Sequence, residues 1–534
     1  MARRLQQQVL ISFSLILIFF SNQHINVKAS NSSFIDSLCD NADGFHDSCL
    51  KILSEITRSS GKQSTRSTIL EQVLKDSTRR IKGTAKKLNF AGLRAAHGSN
   101  VRTSLEVNSG LMNQSLERIT DAIKALRNGK ISAEGLADAH TWLSTVVTNH
   151  LTCVDEVGSH GKGNLVKELD DLVLRARTAL SVFVSAHFRS LVNGTHLFHM
   201  EKDFPSWVRS EDRKVLEASD KKLVADVVVA KDGSGKYSKV SDAVAAAPTK
   251  SDRRYVIYIK KGTYKETVRI KSSQTNIMLV GDGGSSTIIT GSLNVVDGTS
   301  TFNSATVAAE GDGFIAQDIG FQNTAGPAKH QAVALRVGAD RAVINRCQID
   351  GYQDTLYAHS NRQFYRDTTV SGTVDFIFGN AAVVLQNCNL VSRKPMSGQK
   401  NTITAQGRTD RNQNTGTSIQ NSNIIASNDL TSNFKSYLGR PWKKYSRTVV
   451  MESFIDNLID PAGWLAWRGS YALDTLYYGE YQNSGPGAPT GNRVNWPGYH
   501  VITIPSVAAK FTVVQLIQGD QWLDSTGVNY KPGL

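Results

Sequence analysis

Apolar residues recur along this chain in three different patterns. Between residues 34 and 200 they follow a helical period. Leu116, Ile119, Ile123 and Leu126 are spaced 3, 4 and 3 apart, and Leu165, Leu169, Leu172, Ala176, Ala179 and Phe183 are spaced 4, 3, 4, 3 and 4. Such spacing puts them on one face of a helix, and several such helices joined by polar loops predict a bundle. After about Lys221 the pattern becomes one of short β-rich runs, Tyr255–Ile259, Asn276–Val280 and Thr287–Thr290, punctuated by Gly, Asn and Asp. The third pattern is N-terminal. Val9 to Phe20 is apolar except for Ser12 and Ser14, and it follows Arg3 and Arg4. That run is short for a spanning helix and reads as a secretory signal over 1–29, with an uncleaved signal anchor as the alternative.

A weak repeat runs through the β-rich part. The segments Gln317–Phe321, Asn345–Ile349, Arg366–Val370, Gln386–Leu390 and Gln420–Ile424 align, with closing apolar residues 28, 21, 20 and 34 apart. A strand returning at that interval, with no helical pattern between, predicts stacked coils of a parallel β-helix. An ordinary sandwich would bring its strands closer, about every 8–12 residues. The alignment places Ile319, Cys347, Thr368, Cys388 and Ser422 in one inward-facing column. With coils about 4.8 Å apart, Cys347 and Cys388 stand roughly 10 Å apart, beyond disulfide reach. Both are expected to be free, buried thiols.

Composition supports the division. All 11 prolines lie at or after Pro205, which suits a helical first part and a loop-rich second part. Hydrophobic residues at 40% and charged residues at 20% exclude a disordered chain. The net charge is +14, divided evenly as +7 on residues 1–216 and +7 on 217–534. A basic surface favours polyanions, whether nucleic acid, anionic lipid or acidic polysaccharide. No dense Lys/Arg tail singles out nucleic acid. The domains expected are thus the signal 1–29, a helical domain 30–204, a charged linker 205–220 and a β-helical domain 221–534.

Three N-x-S/T triplets, at Asn31, Asn113 and Asn193, are candidate glycosylation sites and support export. Of five cysteines, Cys39 and Cys49 are close enough for a local disulfide, and the odd total leaves at least one thiol unpaired within the chain. No His/Cys cluster suggests a metal, and none is expected.

Four segments place polar residues beside strand-like ones: Gln331–Arg336, Gly351–Leu356, Gly372–Gly379 and Leu438–Trp442. Gln331, Asp354 and Asp375 are 23 and 21 apart and fall on successive coils, converging on one face. Two carboxylates, amide donors and an arginine suit a hydrolytic site, in which like charges split the carboxyl pKa values and arginine holds one ionised. A structural polar stack is the alternative.

With Asp232–Gly235, Gly262–Glu266 and Thr301–Thr306, these segments make residues 221–534 resemble the plant pectin methylesterases. Residues 34–200 resemble the inhibitor proteins of those enzymes. The resemblance implies a right-handed parallel β-helix behind an all-α four-helix bundle, as in the precursor form that joins the two. It implies a secreted pectinesterase of the cell wall or apoplast, hydrolysing methyl esters of homogalacturonan without a cofactor. Asp375 would be the nucleophile, and Asp354 the acid and then the base. Gln331 and Gln353 would stabilise the oxyanion, Arg440 would orient Asp375, and Thr301 and Trp442 would contact substrate together with Gln331 and Arg440. Trp464 and Trp467 are further groove candidates, with core packing the alternative for each. Arg213, Lys214, Val215 and Leu216 resemble the family's processing motif, which implies a subtilisin-like protease as partner, and separate inhibitor proteins are also implied. Neither nucleic acid nor membrane is expected once the signal is removed. Two positions depart from the family: Ser104 and Thr368 stand where many members have cysteines. Cys39–Cys49 is the remaining expected disulfide. Pectate lyase or polygalacturonase chemistry, and a purely inhibitory binding protein, are the rival classes.

Overall fold

The computed structural model describes residues 31–58, 65–96, 100–127, 131–158, 164–193 and 224–534. The signal segment and the basic motif at 213–216 lie outside the described residues.

Six helices come first: α1 (Asn31–Leu38), α2 (His46–Thr57), α3 (Arg66–Arg94), α4 (Asn100–Arg127), α5 (Ala133–Gly158) and α6 (Asn164–Asn193). The four long helices α3–α6 pack around Val73, Ile81, Met112, Ile119, Val146, Leu172 and Phe183, so the stripe expected on α6 faces the core. At the start of α3, Thr65 and Thr68 exchange side-chain-to-backbone hydrogen bonds, which satisfies two of the otherwise free N–H groups. The Cys39–Cys49 disulfide closes the turn between α1 and α2. Ser104 Oγ donates to the Glu156 carbonyl at 3.0 Å, joining α4 to the end of α5 by a hydrogen bond. Cys153 is left free and buried.

The rest is a solenoid of parallel strands in three sheets of eleven, seven and eight strands. Within a sheet each strand pairs mainly with the strand one coil away, as Leu335↔Leu356 and Leu356↔Ile377 illustrate. The repeat seen in the sequence is the register of the eight-stranded sheet. Phe321, Ile349, Val370, Leu390 and Ile424 are direct neighbours from coil to coil. The polar column also holds. The Thr368 hydroxyl accepts from the Cys347 N–H (3.2 Å) and the Ser422 hydroxyl from the Cys388 N–H (3.0 Å), while both thiols remain free and buried.

What turns the chain between sheets is a second column, one residue after the eleven-stranded sheet. Asp318, Arg346, Asp367, Asn387, Asn421, Glu452 and Gln482 all have φ between 48° and 56°. One left-handed residue per coil bends the backbone sharply without a loop, which explains the Asp and Asn recurring there.

The sheets' outer faces are covered differently. The C-terminal Val513, Leu516 and Trp522 pack over Met278, Ile315, Phe364 and Val384 of the eleven-stranded sheet. The seven-stranded sheet presents Ala308, Tyr357, Phe378 and Ala405 outward, and these join the hydrophobic core of the helical bundle. Around that apolar contact lies a polar ring. Asp138 of α5 pairs with Arg362 (2.7 Å) and Arg341 (3.1 Å), Trp142 donates to Asp340 (3.1 Å), and Arg118 of α4 donates to Asp312 (2.7 Å). Asp138 thus gives Arg362, fully buried in the docked chain, a second carboxylate beside Asp340. No helix among the described residues is long and apolar enough to cross a membrane.

Candidate active site

Asp354 and Asp375 enter the seven-stranded sheet two residues ahead of the paired Leu356 and Ile377, so they occupy the same register on adjacent coils. Both have left-handed backbone, φ 63° and 53°, a conformation Asp tolerates better than most residues but still at a cost of about 1–2 kcal/mol. Gly372 makes the second turn possible: a Cβ there would stand 2.3 Å from the Phe376 Cβ and 2.7 Å from the Tyr352 carbonyl. Gln331 departs from the expected column. Leu335 pairs with Leu356, so the residue in register with Asp354 is Val333, and Gln331 lies two positions outside it.

Arg440 grips Asp375 with two parallel hydrogen bonds, Nε to Oδ1 at 2.8 Å and Nη2 to Oδ2 at 2.7 Å. Thr402, one coil further on, donates to the same Oδ1 at 2.6 Å and accepts from the Asp375 N–H at 2.8 Å. The nucleophile candidate is fixed in one orientation. Asp354 has no such grip. Burial, and then the charge of Asp375, push its carboxyl well above the ordinary 3.8, against the opposing pull of Arg440. The two carboxyls thus sit in different surroundings, one clamped by hydrogen bonds and the other shifted upward by burial.

These groups line one cleft of about 520 Å³ with Thr301, Gln331, Gln353 and Trp442. The Gln353 Oε1 is buried and has no hydrogen-bond partner among the described residues. Trp442 leans against Phe378 edge to face, with centroids 5.8 Å apart. Gly407 leaves room for it, since a Cβ there would meet the indole at 2.8 Å. Trp467 lines the same cleft with the Arg440 guanidinium over its ring at 4.3 Å. Trp464 does not reach the cleft; it is buried, stacked on Tyr478 and bonded to Glu480. Arg336, at the end of the first motif, points to Glu310 and Phe302 instead of the carboxylates. Asn113 is exposed, as a glycosylation site needs to be.

Sequence reasoning missed Thr402, Tyr357, Phe378 and Lys443, and it missed three residues from the other part of the chain. Thr152, Asp155 and Glu156, at the end of α5, line the same cleft. The Thr152 hydroxyl meets His359 Nε2 at 3.0 Å, and Asp155 pairs with Lys443 at 3.2 Å. Thr402 was discoverable from register alone, because Ile377 pairs with Thr404.

Comparison with known proteins decides the family. A pectinesterase model matches residues 226–520, and a plant invertase/pectin methylesterase inhibitor model matches residues 33–185. The chain belongs to the pectinesterase family. It carries an inhibitor-like helical domain ahead of the pectinesterase domain. It is 51% identical to pectinesterase/pectinesterase inhibitor 18 of Arabidopsis thaliana, over 98% of this chain and 96% of that one. It is 60% identical to pectinesterase 2.1 of Solanum lycopersicum, over 79% of this chain and 77% of that one. The solved pectin methylesterase from carrot is 60% identical with a TM-score of 0.58, and 99% of its chain corresponds to 59% of this one.

Proposed function

We propose that this pectinesterase hydrolyses the methyl esters of cell-wall homogalacturonan to pectate and methanol through a carboxylate nucleophile. The reading rests on one observation: the clamped Asp375 faces the same cleft as Asp354, whose carboxyl is pushed well above the ordinary carboxylate range by burial and by the charge of Asp375. An Asp375 oxygen attacks the ester carbonyl carbon, and the resulting oxyanion is taken up by the amides of Gln331 and Gln353. Asp354 gives its proton to the methoxy oxygen as the carbon–oxygen bond breaks and methanol leaves. The product is an anhydride between Asp375 and the sugar. Asp354, now a carboxylate, takes a proton from water, which attacks the anhydride and frees both acids. Thr301, Trp442 and Arg440 frame the sugar.

Residues 1–29 direct export to the wall, residues 30–204 restrain residues 221–534, and a subtilisin-like protease cuts at Arg213–Leu216 in the linker 205–220. The restraint is supported by Thr152, Asp155 and Glu156 standing in the cleft. Separate inhibitor proteins fit the same face once the bundle has left. Asn31, Asn113 and Asn193 are its glycosylation sites.

Methanol release from methylated pectin tests both points. Asp375→Asn is expected to lower the rate by about 10⁴-fold or more, with the far-ultraviolet spectrum unchanged, and cutting the linker is expected to raise it. A variant of near-native rate removes Asp375 as nucleophile. Equal rates before and after cutting remove the restraint.

A further inference from the structure

We infer that Lys443 is a specificity residue: it binds the free carboxylate of an already demethylated galacturonate unit beside the ester being cleaved. The inference deepens the esterase reading and rests on it.

The β-helix gives the cleft two cations, Arg440 and Lys443, among the described residues that line it. Arg440 is spent on Asp375 through both of its hydrogen bonds. Among the described residues, no β-helix carboxylate pairs with Lys443. Its ammonium stands 4.9 Å from the centroid of the Trp442 indole and pairs with Asp155, a residue of the helical bundle, at 3.2 Å. In the intact chain a carboxylate thus sits in the cleft, beside the aromatic surface on which a sugar ring would lie. The carboxylate belongs to the bundle and departs with it. What remains is an ammonium without its carboxylate partner, next to a flat apolar face and within the cavity of the reacting carboxylates. The chemistry that refills it is an anion carried on a ring that can stack on Trp442.

The enzyme's own product has that form. A methyl ester offers lysine only a neutral carbonyl, whereas a cleaved unit offers a full charge. Arg440 cannot take this role without releasing Asp375. An ester with a demethylated neighbour is therefore bound better than one in a fully methylated stretch, and each turnover creates the preferred neighbour for the next. Asp155 would act as a stand-in for that carboxylate, which ties the restraint to the preference.

Two measurements on residues 221–534 test this; the counterpart unit is a complete chain in the carrot enzyme. The first is the ratio of kcat/KM on half-methylated to that on fully methylated hexagalacturonate. Lys443→Gln is expected to lower this ratio about tenfold, and Lys443→Arg to restore most of it. The second needs no turnover: binding of unmethylated hexagalacturonate to the Asp375→Asn protein by calorimetry. Adding Lys443→Gln is expected to weaken it about tenfold, with the wild-type affinity falling as salt rises. An unchanged ratio together with unchanged binding overturns the inference and leaves Lys443 as an anchor for Asp155 alone. Wild-type protein that releases no methanol from either substrate refutes the esterase reading instead, while the binding measurement still decides the role of Lys443.

Discussion

Two aspartates of identical chemistry are made different by what surrounds them. Asp375 receives a guanidinium fork and a threonine hydroxyl, while Asp354 receives burial and a neighbouring negative charge. The consequence is a pH dependence with a definite sign. In the proposed mechanism Asp354 must be protonated to expel methanol, so kcat/KM is expected to fall as pH rises through its raised pKa. The Arg440 guanidinium pulls that pKa down, against burial and the charge of Asp375. Arg440→Gln should therefore lower the rate and also move the falling limb of the kcat/KM profile to higher pH. A limb moving to lower pH would mean that Asp354 is not the acid. The motif segments made both aspartates, both glutamines and Arg440 legible in the sequence, because polar residues interrupt strand-like runs there. Thr402 and Lys443 were not legible. A threonine within Asn401–Gln406 and a lysine after Trp442 look like ordinary surface residues until register and bundle place them in the cleft.

At the scale of the element, the coil is set by one left-handed residue per turn. That is why a repeat of only five residues sufficed to align the sheet: the turn and the inward apolar residue recur at fixed offset whatever the loop length elsewhere. The active-site side has no such rule. Gln331 was placed in the Asp354 column because 23 residues looked like one coil, whereas the register there is set by Leu335↔Leu356, 21 apart. Gln482 offers a direct test of the turn. It is exposed and held at φ 48°. Gly, free of the Cβ penalty, is expected to stabilise the β-helix there by about 0.5–1 kcal/mol, and β-branched Val to destabilise it by a similar amount. Urea unfolding of Gln482→Gly and Gln482→Val measures both, and equal stabilities would show that the turn is not limited by this conformation.

The whole molecule is two cores sharing one face, and its composition showed the division but not the docking. Residues 34–200 read as helices and 221–534 as coils, yet nothing in either pattern marks Tyr357, Phe378 or Ala405 as outward residues awaiting a partner. The docked face also buries a histidine. His359 is held between Thr152 of α5 (3.0 Å) and Ser360 (3.0 Å), edge-on to Phe302 and Tyr357. Burial, and then the charge of Arg336, lower its pKa from 6.5 to about 3. His140 of α5 faces the Asn412 carbonyl at 2.6 Å and is lowered to about 4, again mainly by burial. The docked state thus holds both rings neutral. When the bundle lifts away, His359 regains water and a pKa near 6.5. The separated state then takes up a proton below pH 6.5 that the docked state refuses until about pH 3. The contribution to docking is therefore complete above 6.5 and declines as pH falls through that window. With the linker cut, the affinity of bundle for β-helix should drop between pH 7 and pH 5, by up to about 25-fold for one such histidine. His359→Gln keeps a hydrogen-bonding partner for Thr152 but cannot be protonated, so its affinity should change less over that interval. Identical pH dependence in the two proteins would show that His359 stays buried when the bundle leaves, and the acid sensitivity of the docked state would then rest on other groups of that face, His140 among them.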